Sequence, residues 1–295
     1  MIDPDAVMWS APERERTGRP HLVLLHGYGS HEGDLFQLAP YLPDGLVLAA
    51  ARAPLPHPAG TGFAWYTLDG EADGAGVDDA ADELAEFLEG VRGRASWLGT
   101  LGFSQGGVLG LQVLRRHPGL VDAHVMLASA RHPVALPEQD AELALRRPPV
   151  FWGRGTADTV FPARRFADTA DWLPDHSRLT ERIYEGLGHG VSEAMLDDVS
   201  AFLRANLPKP DWAIDLSRPA EQHHPVDPGI VARLRALVLA AQEHRDAGAP
   251  ELGEAEDLIR GLLAAGHSVD AIAEGASLSR EPVQRVADGH GLLDR

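Results

Sequence analysis

A serine in a glycine-rich turn is the first residue of this chain that has the setting of a nucleophile. Ser104 lies in the segment Gly102-Phe103-Ser104-Gln105-Gly106-Gly107, between an apolar run and a helical pattern. A G-x-S-x-G segment between a strand and a helix is typical of a nucleophile elbow, a tight turn that exposes the hydroxyl. The helix that follows directs backbone N–H groups to the same place, where they favour developing negative charge.

A serine hydroxyl is a weak nucleophile, so it needs a base, and the base needs an orienting acid. His189 stands between two glycines directly after a predicted strand, and Asp158 closes a short segment after another predicted strand. The order Ser104, Asp158, His189 predicts that His189 accepts the Ser104 proton while Asp158 orients the imidazole. The rival acids Asp168 and Asp171 fall in a helical pattern farther from a strand end, which disfavours them.

A second glycine-rich turn could stabilise an oxyanion. The segment His26-Gly27-Tyr28-Gly29 follows an early apolar run. A loop in this place can supply one backbone N–H, and the residue after the nucleophile supplies the other. We therefore predict an oxyanion hole formed by the N–H groups of Tyr28 and Gln105.

The elements that must position these residues alternate along the first two-thirds of the chain. Six segments are predicted strands, at 21–25, 46–50, 97–102, 123–127, 150–152 and 179–184. Most of them are continuous apolar runs, which is typical of strands buried on both faces of a parallel sheet. Helical patterns lie between or after them, at 78–91, 105–117 and 195–206. This alternation predicts a doubly wound α/β sheet, with a short extra edge strand at 8–10 and the three catalytic loops at one edge.

The composition changes after residue 207. Five prolines between 207 and 229 predict a linker at 208–228, which separates an α/β domain at 1–207 from the remainder. Only helical patterns follow, at 230–246, 254–265, 269–274 and 280–288. They predict a small all-α domain at 229–295.

Composition limits the classes of function. The 295 residues include no cysteine, which excludes disulfides, thiolate metal sites and a cysteine nucleophile. The formal net charge of −18 opposes binding to nucleic acid and anionic membranes. No secretory signal or membrane-length apolar run is recognised, so we expect a cytoplasmic protein without membrane contact.

No metal site is predicted. The acidic segment at 69–74 is not a complete calcium loop, because Ala80 stands where the bidentate glutamate would be required. The pair His223-His224 lacks further ligands at suitable spacing.

Together the motifs between residues 21 and 207 resemble the phospholipase/carboxylesterase family of α/β hydrolases, which includes acyl-protein thioesterases. The matching segments are Leu24-Leu25-His26-Gly27-Tyr28-Gly29, Ala51-Arg52-Ala53-Pro54, Phe63-Ala64-Trp65-Tyr66, Gly102-Phe103-Ser104-Gln105-Gly106-Gly107, Gly153-Arg154-Gly155-Thr156-Ala157-Asp158 and Gly188-His189-Gly190. The resemblance implies an α/β-hydrolase fold with a mostly parallel sheet. It also implies hydrolysis of a small-molecule ester or thioester without a cofactor.

Several aromatic residues are candidates for the substrate pocket, although each could equally belong to the core. The candidates are Phe63, Trp65, Tyr66, Phe103 and Phe161. No long apolar insertion predicts a lid, which favours small or medium acyl esters over lipid aggregates.

The helical tail leaves the function open in one respect. Residues 268–286 resemble a helix-turn-helix in which Arg280, Gln284 and Arg285 would face a major groove. However, residues 211–295 hold 8 arginines, no lysine and 15 acidic residues, a formal charge of −7, which disfavours DNA binding. We therefore favour structural docking or self-association of the tail, and thus a homo-oligomer. The alternatives are an ester-sensing DNA-binding regulator and a self-assembling structural protein.

Overall fold

The sheet that carries the predicted catalytic loops has seven strands in the order β1-β3-β2-β6-β7-β8-β9. Its strands are β1 (Met8–Trp9), β2 (Pro20–Leu25), β3 (Val47–Ala51), β6 (Trp97–Phe103), β7 (Ala123–Leu127), β8 (Pro149–Gly155) and β9 (Arg178–Tyr184). All neighbours pair in parallel except β1, which is antiparallel to β3. A separate two-stranded ribbon joins β4 (Leu55–Pro56) to β5 (Phe63–Ala64). The predicted α/β class is confirmed.

The computed structural model describes residues 2–68, 76–208, 228–244, 250–264, 269–276, 278 and 280–289. The chain divides into two compact units, Met1–Pro208 and Lys209–Arg295. Of the predicted linker at 208–228, all but its two end residues lie outside the described part of the chain. The domain boundaries therefore stay predictions within that stretch.

Six α-helices accompany the sheet in the described residues of the first unit. They are α1 (Glu32–Phe36), α2 (Val77–Arg92), α3 (Gln105–Arg116), α4 (Pro137–Arg146), α5 (Ala163–His176) and α6 (Glu193–Asn206). The predicted helices coincide with α2, α3 and α6. No pattern had pointed to α4, because its two leucines, buried Leu143 and exposed Leu145, are two positions apart and do not repeat at helical spacing.

The core lies on both sides of the sheet, as the continuous apolar strands require. Along β2, Val23 and Leu25 belong to the layer beneath α2 and α3, whereas Leu22 and Leu24 belong to the layer beneath α6. Successive side chains of a strand point to opposite faces, so a strand with a helix layer on each side must be apolar throughout. This burial holds the strand ends, and hence the loops that follow them, in fixed positions.

The second unit consists of helices in its described residues. These are α7 (Pro228–His244), α8 (Pro250–Ala264), α9 (Val269–Ala276) and α10 (Arg280–Ala287). Its buried residues include Leu234, Val238, Ile259, Ile272 and Val283, which gives the unit a core of its own. Within the described ranges of the chain, no helix has the length and apolar character that crossing a membrane requires.

A buried histidine of the first unit makes the stability depend on pH. His124 on β7 is fully buried, accepts a hydrogen bond from the Thr100 hydroxyl at Nδ1 (2.8 Å) and donates from Nε2 to the Gly107 carbonyl oxygen (3.2 Å). Burial lowers the pKa of His124 from 6.5 to about 4. Because His124 resists protonation in the folded state, the protein has its full stability above the pKa of histidine in the unfolded chain. The free energy of unfolding then decreases as the pH falls from there toward 4. We expect a loss of about 3 kcal/mol across this range.

Urea unfolding at pH 7 and pH 4.5 tests this expectation. His124→Gln, which keeps a neutral hydrogen-bonding side chain, should be less stable at pH 7 but should lose less stability on acidification. The buried residues His21 and His26 also have lowered pKa values, but they remain in both proteins, so the difference isolates His124. Equal pH slopes for the two proteins would contradict the assignment.

Candidate active site

The turn that carries Ser104 has strained backbone. Ser104 connects β6 to α3 with φ 51° and ψ −115°, a conformation that residues with a Cβ rarely adopt. A Cβ on Gly102 would lie 2.3 Å from the backbone of Gly106, and one on Gly106 would lie 2.0 Å from the Leu25 carbonyl oxygen. The glycines therefore allow β2, β6 and α3 to approach closely enough for the turn to form.

His189 lies in the loop after β9 and reaches this turn. Its Nε2 is 2.9 Å from the Ser104 hydroxyl oxygen, and its side chain is 20% exposed. The ring centroid lies 5.0 Å from that of Phe103 and 6.1 Å from that of Phe161. The imidazole is thus flanked by aromatic rings but remains open to the cleft in front of Ser104.

Asp158 lies in the loop after β8 and holds the other nitrogen of the ring. Its Oδ2 is 2.8 Å from His189 Nδ1, and its Oδ1 accepts a hydrogen bond from the Val160 backbone N–H at 2.9 Å. The Asp158 side chain has no exposed surface. An ionised carboxylate only accepts, so Nδ1 carries the ring proton and the Nε2 lone pair faces the Ser104 hydroxyl.

The two loops that carry Asp158 and His189 are joined to each other. The Ala157 backbone N–H donates to the Leu187 carbonyl oxygen (3.0 Å), and the Gly186 N–H donates to Thr156 Oγ1 (2.9 Å). A Cβ on Gly155 would lie only 1.9 Å from the Leu187 oxygen. This close backbone approach explains how residues 31 positions apart are held at hydrogen-bond distance.

The two predicted oxyanion donors belong to residues of the same cleft. Tyr28 and Gln105 both line the cleft that contains Ser104 and His189. Neither backbone N–H donates to an acceptor within the described residues. Unpaired donors at the start of a helix and in a neighbouring loop can bind an oxygen that becomes negative during a reaction.

The cleft has a volume of about 840 Å³ and mixed walls. Of the predicted pocket residues, Tyr66, Phe103 and Phe161 line it. The other two predicted residues, Phe63 and Trp65, are not among the described residues that line the cleft. Trp65 is only 2% exposed and donates from its indole N–H to the His26 carbonyl oxygen (2.8 Å), while the Phe63 ring lies under the Arg52 guanidinium. These two aromatic residues therefore have structural contacts instead of a place in the cleft wall.

Sequence reasoning missed part of the lining. The further lining residues include apolar Leu68, Val108 and Val160 and polar Ser30, His31, Asp34 and Arg165. Val108 is one helical turn beyond Ser104, a spacing that could have indicated it. The rivals Asp168 and Asp171 lie exposed on α5, and neither forms a hydrogen bond to His189.

In the described part of the chain, no group of three or more histidine, aspartate or glutamate side chains could hold a metal ion. The acidic segment at 69–74 and the pair at 223–224 lie outside the described residues.

Comparison with known proteins gives a consistent result. Residues 11–207 match the model of the Phospholipase/Carboxylesterase family, which includes no residue of the second unit. Acyl-protein thioesterase 1 of Eremothecium gossypii is 28% identical over 221 residues, covering 66% of this chain and 91% of that protein. Esterase YpfH of Escherichia coli strain K12 is 26% identical over 201 residues, covering 64% of this chain and 83% of that protein.

Solved structures agree with this comparison. The crystal structure of esterase PE8 superimposes with a TM-score of 0.58 at 27% identity, covering 68% of this chain and 99% of that one. Acyl-protein thioesterase 2 of Zea mays superimposes with a TM-score of 0.57 at 23% identity, covering 68% of this chain and 98% of that one. The latter identity is low enough that it supports the fold alone.

Proposed function

We propose that this chain, which belongs to the phospholipase/carboxylesterase family of α/β hydrolases, is a serine esterase that acts through an acyl-enzyme on Ser104. Its membership of the family and its relatives make it a carboxylic ester hydrolase. The observation that carries the proposal is the continuous hydrogen-bonded series from Asp158 through His189 to the Ser104 hydroxyl, at 2.8 and 2.9 Å. Each group stands within proton-transfer distance of the next.

The mechanism follows from the positions of the protons. His189 Nε2 accepts the Ser104 proton while Oγ attacks the acyl carbon, and the N–H groups of Tyr28 and Gln105 stabilise the tetrahedral oxyanion. The imidazolium, stabilised by Asp158, then donates its proton to the departing alkoxide or thiolate. Water attacks the acyl-enzyme with His189 again as base, which releases the acid and restores the serine.

We propose small to medium acyl esters as the substrate class. The cleft volume of about 840 Å³ matches a small-molecule site. The leaving group must take its proton from His189, so Phe161 and Phe103 border its position. Relatives named both esterase and thioesterase support either an oxygen or a sulfur leaving atom.

The role of the tail and the cytoplasmic setting stay predictions. On α10, Arg285 donates to Glu281 (3.1 Å) and Gln284 donates to Asp288 (2.9 Å), so two of the three proposed base-reading side chains already bind acidic residues of their own helix or its end. These contacts disfavour the DNA-binding regulator. Structural docking or self-association of the tail remains our proposal for these helices.

Labelling with a fluorophosphonate tests the activated serine without knowledge of the natural substrate. We expect one covalent phosphonyl adduct per chain, and peptide mapping should place it on Ser104. Prior heat denaturation is the control and should abolish labelling, because an isolated serine does not react at this rate. A native protein that remains unlabelled, or is labelled at another serine, contradicts the mechanism.

A further inference from the structure

A buried histidine holds the loop that follows β2. The His26 side chain is 1% exposed, and its Nε2 accepts a hydrogen bond from the Ala53 backbone N–H (3.1 Å). Since Nε2 accepts, the ring proton lies on Nδ1, which donates to the Gly27 carbonyl oxygen (2.8 Å). Burial lowers the pKa of His26, which favours this neutral tautomer at neutral pH.

The hydrogen bond from His26 Nδ1 to the Gly27 oxygen also affects the orientation of the next backbone N–H. The peptide bond between Gly27 and Tyr28 is planar and trans, so its C=O and its N–H point in opposite directions. The Gly27 oxygen is held by His26 Nδ1 at 2.8 Å and, at a longer 3.2 Å, by the Ser30 N–H, so these contacts also set the direction of the Tyr28 N–H. We propose that His26 is a positioning residue that aims the Tyr28 N–H at the oxyanion.

A second set of contacts joins the two proposed oxyanion donors. The Trp65 indole N–H donates to the His26 carbonyl oxygen (2.8 Å), and the Trp65 backbone N–H donates to Gln105 Oε1 (2.9 Å). Gln105 Nε2 in turn donates to the Tyr66 carbonyl oxygen (2.7 Å). Trp65 thereby links the residue before the oxyanion loop to the residue after the nucleophile, and fixes the separation of the two donors.

The proposal rests on the proposed function, and a pair of amide variants separates its two hydrogen bonds. In His26→Asn, the amide nitrogen takes the place of Nδ1 and can still donate to the Gly27 oxygen. In His26→Gln, the amide takes the place of Nε2 and can still bind the Ala53 N–H but not the Gly27 oxygen. Each variant loses one buried contact, so the two should lose similar stability while differing in activity.

We expect His26→Gln and His26→Leu to lower kcat/KM by about 10²–10³, the effect of losing one oxyanion donor, with little change in KM. The kcat/KM of His26→Asn should remain within about tenfold of that of the natural protein. The inhibition constant of an aliphatic trifluoromethyl ketone, which forms a tetrahedral adduct with a serine, should rise in parallel with the loss of kcat/KM. If His26 had only a structural role, the inhibition constant would not rise in proportion to the loss of kcat/KM.

His21 provides the matched control. It lies on β2, the strand that ends just before His26, is fully buried, and has Nδ1 at 2.9 Å from the Arg19 carbonyl oxygen, but it is at the opposite end of that strand from the cleft. His21→Gln should keep kcat/KM within about twofold even where the melting temperature falls. Trp65→Phe, which removes the indole N–H contact together with part of the buried ring, should lower kcat/KM by about tenfold.

Three results would overturn the proposal: equal kcat/KM losses in His26→Asn and His26→Gln, a folded His26→Leu protein with natural activity, or a His21→Gln protein that loses as much activity as His26→Gln. If His26→Leu does not fold, the comparison of the two amide variants decides the question. Failure of the proposed function is distinguishable, because it appears as a natural protein in which fluorophosphonate does not label Ser104.

Discussion

Ser104→Ala is expected to lower kcat/KM for short-chain nitrophenyl esters by about 10⁴ to 10⁶. The substitution removes the attacking oxygen, and the remaining donors can stabilise only a direct attack by water. The fold should be unaffected, because the hydroxyl contacts His189 whereas the turn is held by backbone bonds from Ser104 N–H to the Leu127 oxygen and from Gly107 N–H to the Ser104 oxygen.

The measurement is the steady-state rate of nitrophenolate release, with the thermal unfolding midpoint as the control for folding. An unchanged midpoint together with the large loss of rate assigns the effect to chemistry. A Ser104→Ala protein with near-natural activity would show that the nucleophile is another group.

Asp158→Asn is expected to lower kcat by about 10⁴ at neutral pH. The amide oxygen can keep the hydrogen bond from the Val160 N–H, while the amide nitrogen donates to His189 Nδ1. The ring proton then moves to Nε2 and faces the Ser104 hydroxyl, so the imidazole cannot accept the serine proton. The local geometry is preserved, but the tautomer is wrong for catalysis.

The chain offers two matched controls for this substitution. Asp168→Asn and Asp171→Asn change the same functional group on α5 and should leave the rate within about twofold, because neither side chain contacts His189. The rates should be compared at a single substrate concentration and again as full kcat and KM values. If one of these variants loses more activity than Asp158→Asn, the acid has been assigned to the wrong residue.

The local sequence determined those features that depend on neighbouring positions. A continuous apolar run is stable only where both faces of a strand are covered, so the central strands could be placed within three residues of their observed ends. The glycines around Ser104 could be recognised from the motif alone, because a tight strand–turn–helix connection of this type requires residues without a Cβ. Both signals can be read before any long-range contact is known.

The tertiary structure decided which side of each segment meets the cleft. Trp65 and Tyr66 are adjacent and have similar chemistry, yet Trp65 is held by the His26 oxygen and Gln105 Oε1 while Tyr66 lines the cleft. The difference depends on how residues some 40 positions apart pack against the same turn. Sequence periodicity carries no information on such contacts, because they are set by the close approach of β2, β6 and α3 and not by the order of residues along the chain.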